Sequence, residues 1–297
     1  MDAQVKPEPV KQFDRTLEDT GNIVSMEHLN VQIPDQRLAT LFYVEGLGFT
    51  RDPYMHVTDL NMWVNLGRNQ FHLPNRRPTQ VFRAVIGLVV PNLEGVRARF
   101  KRAGPQLKDT KFTYTDEGET LLLTCPWGNR MRVHQAGVPF TSLRLGIPYV
   151  DFPVKRGAAD GIAGFYREVI KAPARVDTSG ATPAAHVKTG IGQELIFTET
   201  DQPLTPYDGH HLAVYVTDFG GPHAWLNARG LVSEESDQYQ YRFEQIVDPA
   251  TNEPLFEIQH EVRSLTHPMY ARHLNLVNRN PEQNQMGYEP GRDFYVA

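Results

Sequence analysis

The sequence repeats itself, with one pattern occurring twice and each copy about half the protein long. Phe42-Tyr43-Val44-Glu45-Gly46-Leu47-Gly48-Phe49 is echoed by Phe165-Tyr166-Arg167-Glu168-Val169-Ile170-Lys171-Ala172. Val89-Val90-Pro91-Asn92 with Gly104 is echoed by Tyr215-Val216-Thr217-Asp218 with Gly230. Repetition on this scale implies duplicated modules, and polar residues that differ at matching points then indicate which copy does chemistry.

Each half contains two shorter units. Met26-Glu27-His28-Leu29-Asn30-Val31-Gln32-Ile33 alternates, with Leu29, Val31 and Ile33 on one face and His28, Asn30 and Gln32 on the other. Pro34-Asp35 ends that strand, Leu38, Leu41, Phe42 and Val44 come next at helical spacing, and Gly46 and Gly48 stop the helix. Strands at 61–66 and 70–73 complete a βαβββ unit. The pattern restarts at Ala84, at Ile147 and at His211. The predicted class is therefore α+β: two tandem domains, each a pair of βαβββ units forming a cupped, partly closed sheet with helices outside. Residues 1–24 read as a polar arm, 25–138 as the N-terminal domain, 145–262 as the C-terminal domain and 263–297 as a tail, with the boundary in the stretch from Gln135 to Leu145.

A chain of 297 residues, 40% hydrophobic and 22% charged, is long enough for two cores. The formal charge of −5, with Lys and Arg scattered, leaves no footprint for a nucleic-acid backbone. No apolar run approaches the length of about 18 residues that a bilayer requires, and the first residues lack the apolar core of a secretion signal, so a cytoplasmic protein without membrane partners is expected. The single Cys125 agrees with a reducing compartment and reads as a small buried hydrophobe.

The free face of each cup is where function is expected. In the strand His211-Leu212-Ala213-Val214-Tyr215-Val216 the aliphatic row points under a helix, which sends His211, Ala213 and Tyr215 into the cup. The same argument turns Glu257 and Gln259 of Leu255-Phe256-Glu257-Ile258-Gln259 inward, and Tyr149 and Asp151 at the start of the third unit. An imidazole and a carboxylate converging on one concavity suit a divalent ion, so His211 and Glu257 are candidate ligands, with Asp151 or Tyr149 as the third. The first half offers His28, Gln70 and His72, but Val85 and Arg132 stand where His211 and Glu257 stand in the second. Arg132 has no lone pair to give, so His28 reads as a neutral hydrogen-bonded group and the N-terminal domain as metal-free. The run His260-Glu261-Val262-Arg263, with His267 and His273 beyond it, reads as a solvated terminal segment.

This layout resembles the vicinal oxygen chelate superfamily, which includes glyoxalases, bleomycin- and fosfomycin-resistance proteins, epimerases and type I extradiol dioxygenases. The motifs that carry the likeness are His28 with Phe42-Tyr43 and Gly46-Leu47-Gly48-Phe49, the turn Cys125-Pro126-Trp127-Gly128-Asn129, His210-His211 opening a strand, and Asp248-Pro249 ahead of Asn252 and Glu257. With four units, the chain is most similar to the extradiol dioxygenases, in which the C-terminal domain binds iron through two His and one Glu. The resemblance implies His211 as the second His and Glu257 as the Glu. Tyr149 stands at the place of the first His, Gln193 near that of the acid-base His, and Ile246 near that of a Tyr. Tyr149, Tyr215 and Gln193 are thus the candidate catalytic groups. The resemblance implies a metal-dependent oxidoreductase, dioxygenase-like, acting on a small catechol-like or hydroxy-ketone substrate. The alternatives are a glyoxalase-like lyase or isomerase working through an enediolate, and a metal-free resistance-type binder. Fe(II) is the first expectation for the cofactor, then Zn, Mn or Ni, then none, and a homo-oligomer is left open.

Overall fold

The computed structural model describes residues 13–272 and Leu274, apart from Tyr54, His56 and Val57. The start of the arm, His273 and the tail from residue 275 lie outside the described residues. The first unit comprises β1 (Ile23–Asn30), α1 (Gln36–Ala39) running into a π-helical turn (Thr40–Gly46), β2 (Thr50–Arg51), β3 (Asn61–Leu66) and β4 (Asn69–Pro74). The second has β5 (Val85–Val90), α2 (Leu93–Ala103), β6 (Thr113–Asp116), β7 (Thr120–Thr124) and β8 (Arg130–Gln135). The third has β9 (Tyr149–Lys155), α3 (Ala159–Phe165) running into a second π turn (Tyr166–Ile170), β10 (Ala174–Asp177), β11 (Ala184–Lys188) and β12 (Glu194–Thr200). The fourth has β13 (His211–Val216), α4 (Gly220–Asn227), β14 (Val232–Asp237), β15 (Gln240–Val247) and β16 (Pro254–Ser264).

Local chemistry sets the helix starts. The Asp35 carboxylate accepts the Leu38 N–H at 3.0 Å, and Asn92 does the same for Gly95 at 2.8 Å, each satisfying an orphan donor of the first turn. Of the echoed Phe-Tyr pairs, Phe42, Tyr43 and Tyr166 lie on the π turns and Phe165 ends α3, and all four are fully buried against the outer sheet faces. Cys125 is buried, as its sequence context implies, and its sulfur accepts the Asn129 N–H at 3.3 Å. No helix among the described residues is long and apolar enough to cross a membrane.

The strands form two eight-stranded mixed sheets, in the orders β14-β15-β16-β13-β1-β4-β3-β2 and β10-β11-β12-β9-β5-β8-β7-β6. Four βαβββ units in two cups are present, but consecutive units within each half do not share a sheet. The first unit joins the fourth through antiparallel β1 and β13, and the second joins the third through β5 and β9. Both sheets thus draw on residues 25–138 and on 145–262, and the connector after Gln135 links two units of one sheet. The physical reason is edge satisfaction: each unit exposes the edge of its first strand, and an exposed edge must find a partner. Paired backbone bonds between Val89 and Gly146, at 2.9 and 3.2 Å, fold the connector back so that β9 covers β5. The edge of β1 is then left for β13. Asn69 clamps the two sheets, donating to the Met26 carbonyl at 2.6 Å and accepting the Ile147 N–H at 2.8 Å.

Candidate metal centre

The junction of β1 and β13 brings together chemistry from opposite ends of the chain. Asn30 lies opposite His211, His28 opposite Ala213, and Ala213 is level with Glu261 on β16. With side chains alternating along each strand, His28, His211 and Glu261 all enter the first cup. One ligand atom from each lies within 4.8 Å of the other two, and among the described residues no other group of His, Cys, Asp or Glu comes together in this way. All three are buried, at 1%, 6% and 3% exposure.

A shift in register between Met26 and His28 turns adjacent residues the same way. Glu27 therefore joins His28 in the cup, and its carboxylate accepts from His28 Nδ1 at 3.1 Å. This contact places the His28 proton on Nδ1 and leaves the Nε2 lone pair for a ligand. The Nε2 atoms of His28 and His211 are both buried without a hydrogen-bond partner among the described residues, and His211 Nε2 stands 3.4 Å from Glu261 Oε2. Buried imidazole nitrogens without partners, facing a carboxylate, fit a divalent ion.

The charges around them are matched. Arg263 contacts Glu27 at 2.7 Å and Glu261 at 2.5 Å, and Arg242 contacts Glu261 at 2.7 Å. Burial alone would raise the Glu261 pKa, but the His211 and His28 imidazoles beside it and the Arg263 guanidinium hold it well below the usual carboxylate range. Glu27 is likewise lowered against its burial, by His28, Arg263 and Arg272. Burial pushes His211 down to about 4, only partly offset by Glu261, so its imidazole is neutral and able to bind a metal at neutral pH.

The β1–β13 junction has local twofold character. His28 pairs with Gln70 on β4 as His211 pairs with Gln259 on β16, and Asn30 pairs with His72 as Ala213 pairs with Glu261. His72 is thus the counterpart of Glu261. It stacks on Trp63 at 3.9 Å between ring centroids, contacts Asn61 Oδ1 through Nε2 at 2.9 Å, and is lowered to about 2 by burial with help from His28 and His211.

Of the residues expected from sequence, His211 is in the group. Glu257 is on the same face of β16 but four residues from Glu261, about 13 Å along a strand, where it accepts from Gln245 at 3.4 Å. Asp151 belongs to the other sheet and accepts from Thr198 Oγ1 at 2.7 Å. Tyr149 also lies there, its hydroxyl 2.9 Å from His134 Nε2. Gln193 joins β1 to the connector, with Nε2 donating to the carbonyls of Met26 at 3.2 Å and Ile147 at 3.1 Å. Tyr215 is in the first cup, where its hydroxyl donates to Glu27 at 3.3 Å. Two readings need correcting. His28, which sequence reads as a neutral structural group with Val85 and Arg132 as its expected partners, instead faces His211. Glu261, which sequence reads as part of a solvated terminus, is an interior residue of an 11-residue strand.

No protein-family model matches the chain, and no curated protein does. Solved structures do. Glyoxalase I from Zea mays is 14% identical, with a TM-score of 0.54 over 81% of this chain and 92% of that one. A variant of the same enzyme gives 13% and 0.53 over 81% and 92%. A catechol 2,3-dioxygenase is 15% identical, with a TM-score of 0.31 over 86% and 99%. This chain therefore shares the fold of the maize glyoxalase I, in keeping with the vicinal oxygen chelate layout that its sequence resembles.

Proposed function

We propose that the chain is a metal-dependent enzyme whose His28, His211 and Glu261 hold one divalent ion, and that it is a dioxygenase-like oxidoreductase acting on a small substrate with adjacent oxygens. The observation that carries this reading is the donor set: two imidazoles whose buried Nε2 atoms have no partner among the described residues, beside one carboxylate held in its ionised form. Two His and one carboxylate with positions left open suit Fe(II) and O₂ chemistry. Such an ion would bind and polarise the substrate oxygens.

The protein's own groups supply the rest. Arg242 and Arg263 already balance Glu27 and Glu261, so a divalent ion adds uncompensated positive charge to a buried space. Anionic substrate oxygens would restore the balance. Burial keeps the Tyr215 hydroxyl protonated, so it serves as a hydrogen-bond donor at Oη rather than as a base. The stacked Trp63 and His72 rings form a flat wall beside His28, and Asn30 Oδ1 and Trp63 Nε1 are buried there without partners among the described residues, available to orient a substrate.

A second reading is a lyase or isomerase working through an enediolate. It is favoured by His72, which occupies the twofold counterpart of Glu261 and would complete a four-residue ligand set. Oxygen consumption by anaerobically iron-loaded protein against a panel of catechols separates the two. Uptake dependent on substrate and on Glu261 is expected. No uptake by protein that holds its iron would remove the dioxygenase reading and leave proton transfer.

A further inference from the structure

The two cups have the same architecture but differ in cover. On the inner face of the first, His28, Gln70, His211, Glu261 and Arg263 are buried at 1%, 0%, 6%, 3% and 6% exposure. On the inner face of the second, Tyr149, Asp151, Glu194, Thr198 and His134 are only half-buried. Over the second cup, among the described residues, only the connector's Phe140 packs on His134 and Tyr149, at 4.7 and 6.4 Å between ring centroids, whereas the first is crossed by the chain after β16. From Ser264 it turns back through short local hydrogen bonds, His267 N–H to the Ser264 carbonyl at 3.1 Å and Tyr270 N–H to the His267 carbonyl at 2.9 Å. It then crosses from the fourth unit to the first. The Tyr270 ring lies 5.0 Å from that of Tyr215, and Met269 Sδ lies 3.8 Å from Arg263 Nη1. At the far side Arg272 donates to Asp52 Oδ2 at 3.1 Å and to Gln70 Oε1 at 2.9 Å, and Gln70 is the strand partner of His28.

We propose that Ser264–Arg272 is a hinged roof over the first cup, latched by Arg272 onto Asp52 and Gln70, which opens to admit a small molecule and closes to exclude water. This deepens the proposed function and rests on it for the identity of what enters. Beyond Ser264 the described segment joins neither sheet by strand pairing, so it is held by a few side chains and can open without unfolding a sheet. If Asp52 loses Arg272 it still has the Gln70 amide at 3.2 Å and the Met55 N–H at 3.1 Å, so an open state does not strand a bare buried carboxylate.

Histidine footprinting of the full-length protein with diethylpyrocarbonate, mapped by peptide mass spectrometry, tests the roof without any substrate. In the parent protein His28 and His211 should react far more slowly than the half-buried His134 and His186 of the second cup. Arg272→Ala should raise the rates at His28 and His211 by about tenfold or more, as expected for a shifted local opening equilibrium. His260, fully buried on the helix side of β16, should stay unreactive. Gln70→Ala, which removes the second latch contact without altering the tail, should act in the same direction. Unchanged rates at His28 and His211 in both variants, or equal acceleration at His260, would overturn the roof. Repeating the assay with Co(II) separates this from the metal reading: failure of Co(II) to protect His28 and His211 counts against the metal site and leaves the difference between parent and Arg272→Ala intact.

Discussion

Glu27 and His28 are neighbours in sequence, yet both point into the cup because the strand changes register between Met26 and His28. Alternation alone puts Glu27 on the helix side with Leu29. This is why the carboxylate that orients His28 was not legible in the sequence, although the inward direction of His28 was. Glu27→Gln should weaken metal binding by about 10- to 100-fold, the usual cost of losing a carboxylate behind a ligating imidazole. Titration with Co(II) checks this, and Glu257→Gln serves as a control that should bind as the parent does. Asp151 makes the opposite case. Burial raises its carboxyl pKa, partly offset by the Thr198 hydrogen bond. A folded pKa above the unfolded one makes ionisation costly at neutral pH, and the cost fades as the pH falls through the folded value. Asp151→Asn should therefore be more stable than the parent at pH 7, with a gap that closes as the pH falls through the carboxylate range, and its metal uptake should be unchanged. Urea melts at a series of pH values would show this, and a less stable variant at pH 7 would refute it.

At the scale of elements, period and punctuation carried most of the information. The strand starting at Asn61, the α2 segment and the inward face of β13 can be read directly from apolar spacing, and the echoed Phe-Tyr pairs mark the two π turns. The length of β16 cannot. Glu257, Gln259, Glu261 and Arg263 alternate without interruption, but the surrounding charges look like solvated surface until Arg242 and Arg263 are seen to pair with the carboxylates. An arginine partner across a sheet has no signature in local sequence. Gly67, in the β3–β4 turn, shows how elements constrain one another. It has φ +66°, and a Cβ there would stand 2.0 Å from the Leu145 carbonyl oxygen. Gly67→Ala should cost about 1–3 kcal/mol through backbone strain and displacement of the connector. The check is a lower urea midpoint at unchanged slope.

For the whole molecule, sequence supplies the units and leaves their partners open, because the free edges of β1, β5, β9 and β13 are chemically alike. Pairing the first unit with the fourth is what places His28 opposite His211. It is also why a search within one half of the chain finds only part of the ligand set. A protease site inserted after Val138, a residue 90% exposed in the connector, should yield two fragments that stay together under native conditions, since each sheet takes strands from both. Fragments that part without denaturant on size exclusion would contradict the pairing. The metal content of purified protein probes the centre itself. After iron loading, elemental analysis should find about one ion per chain, lost in His28→Ala, in His211→Ala and in Glu261→Ala, and kept in Glu257→Ala and Asp151→Ala. A full complement of metal in His28→Ala, or its loss in Glu257→Ala with Glu261→Ala unaffected, would contradict a centre shared between the two ends of the chain.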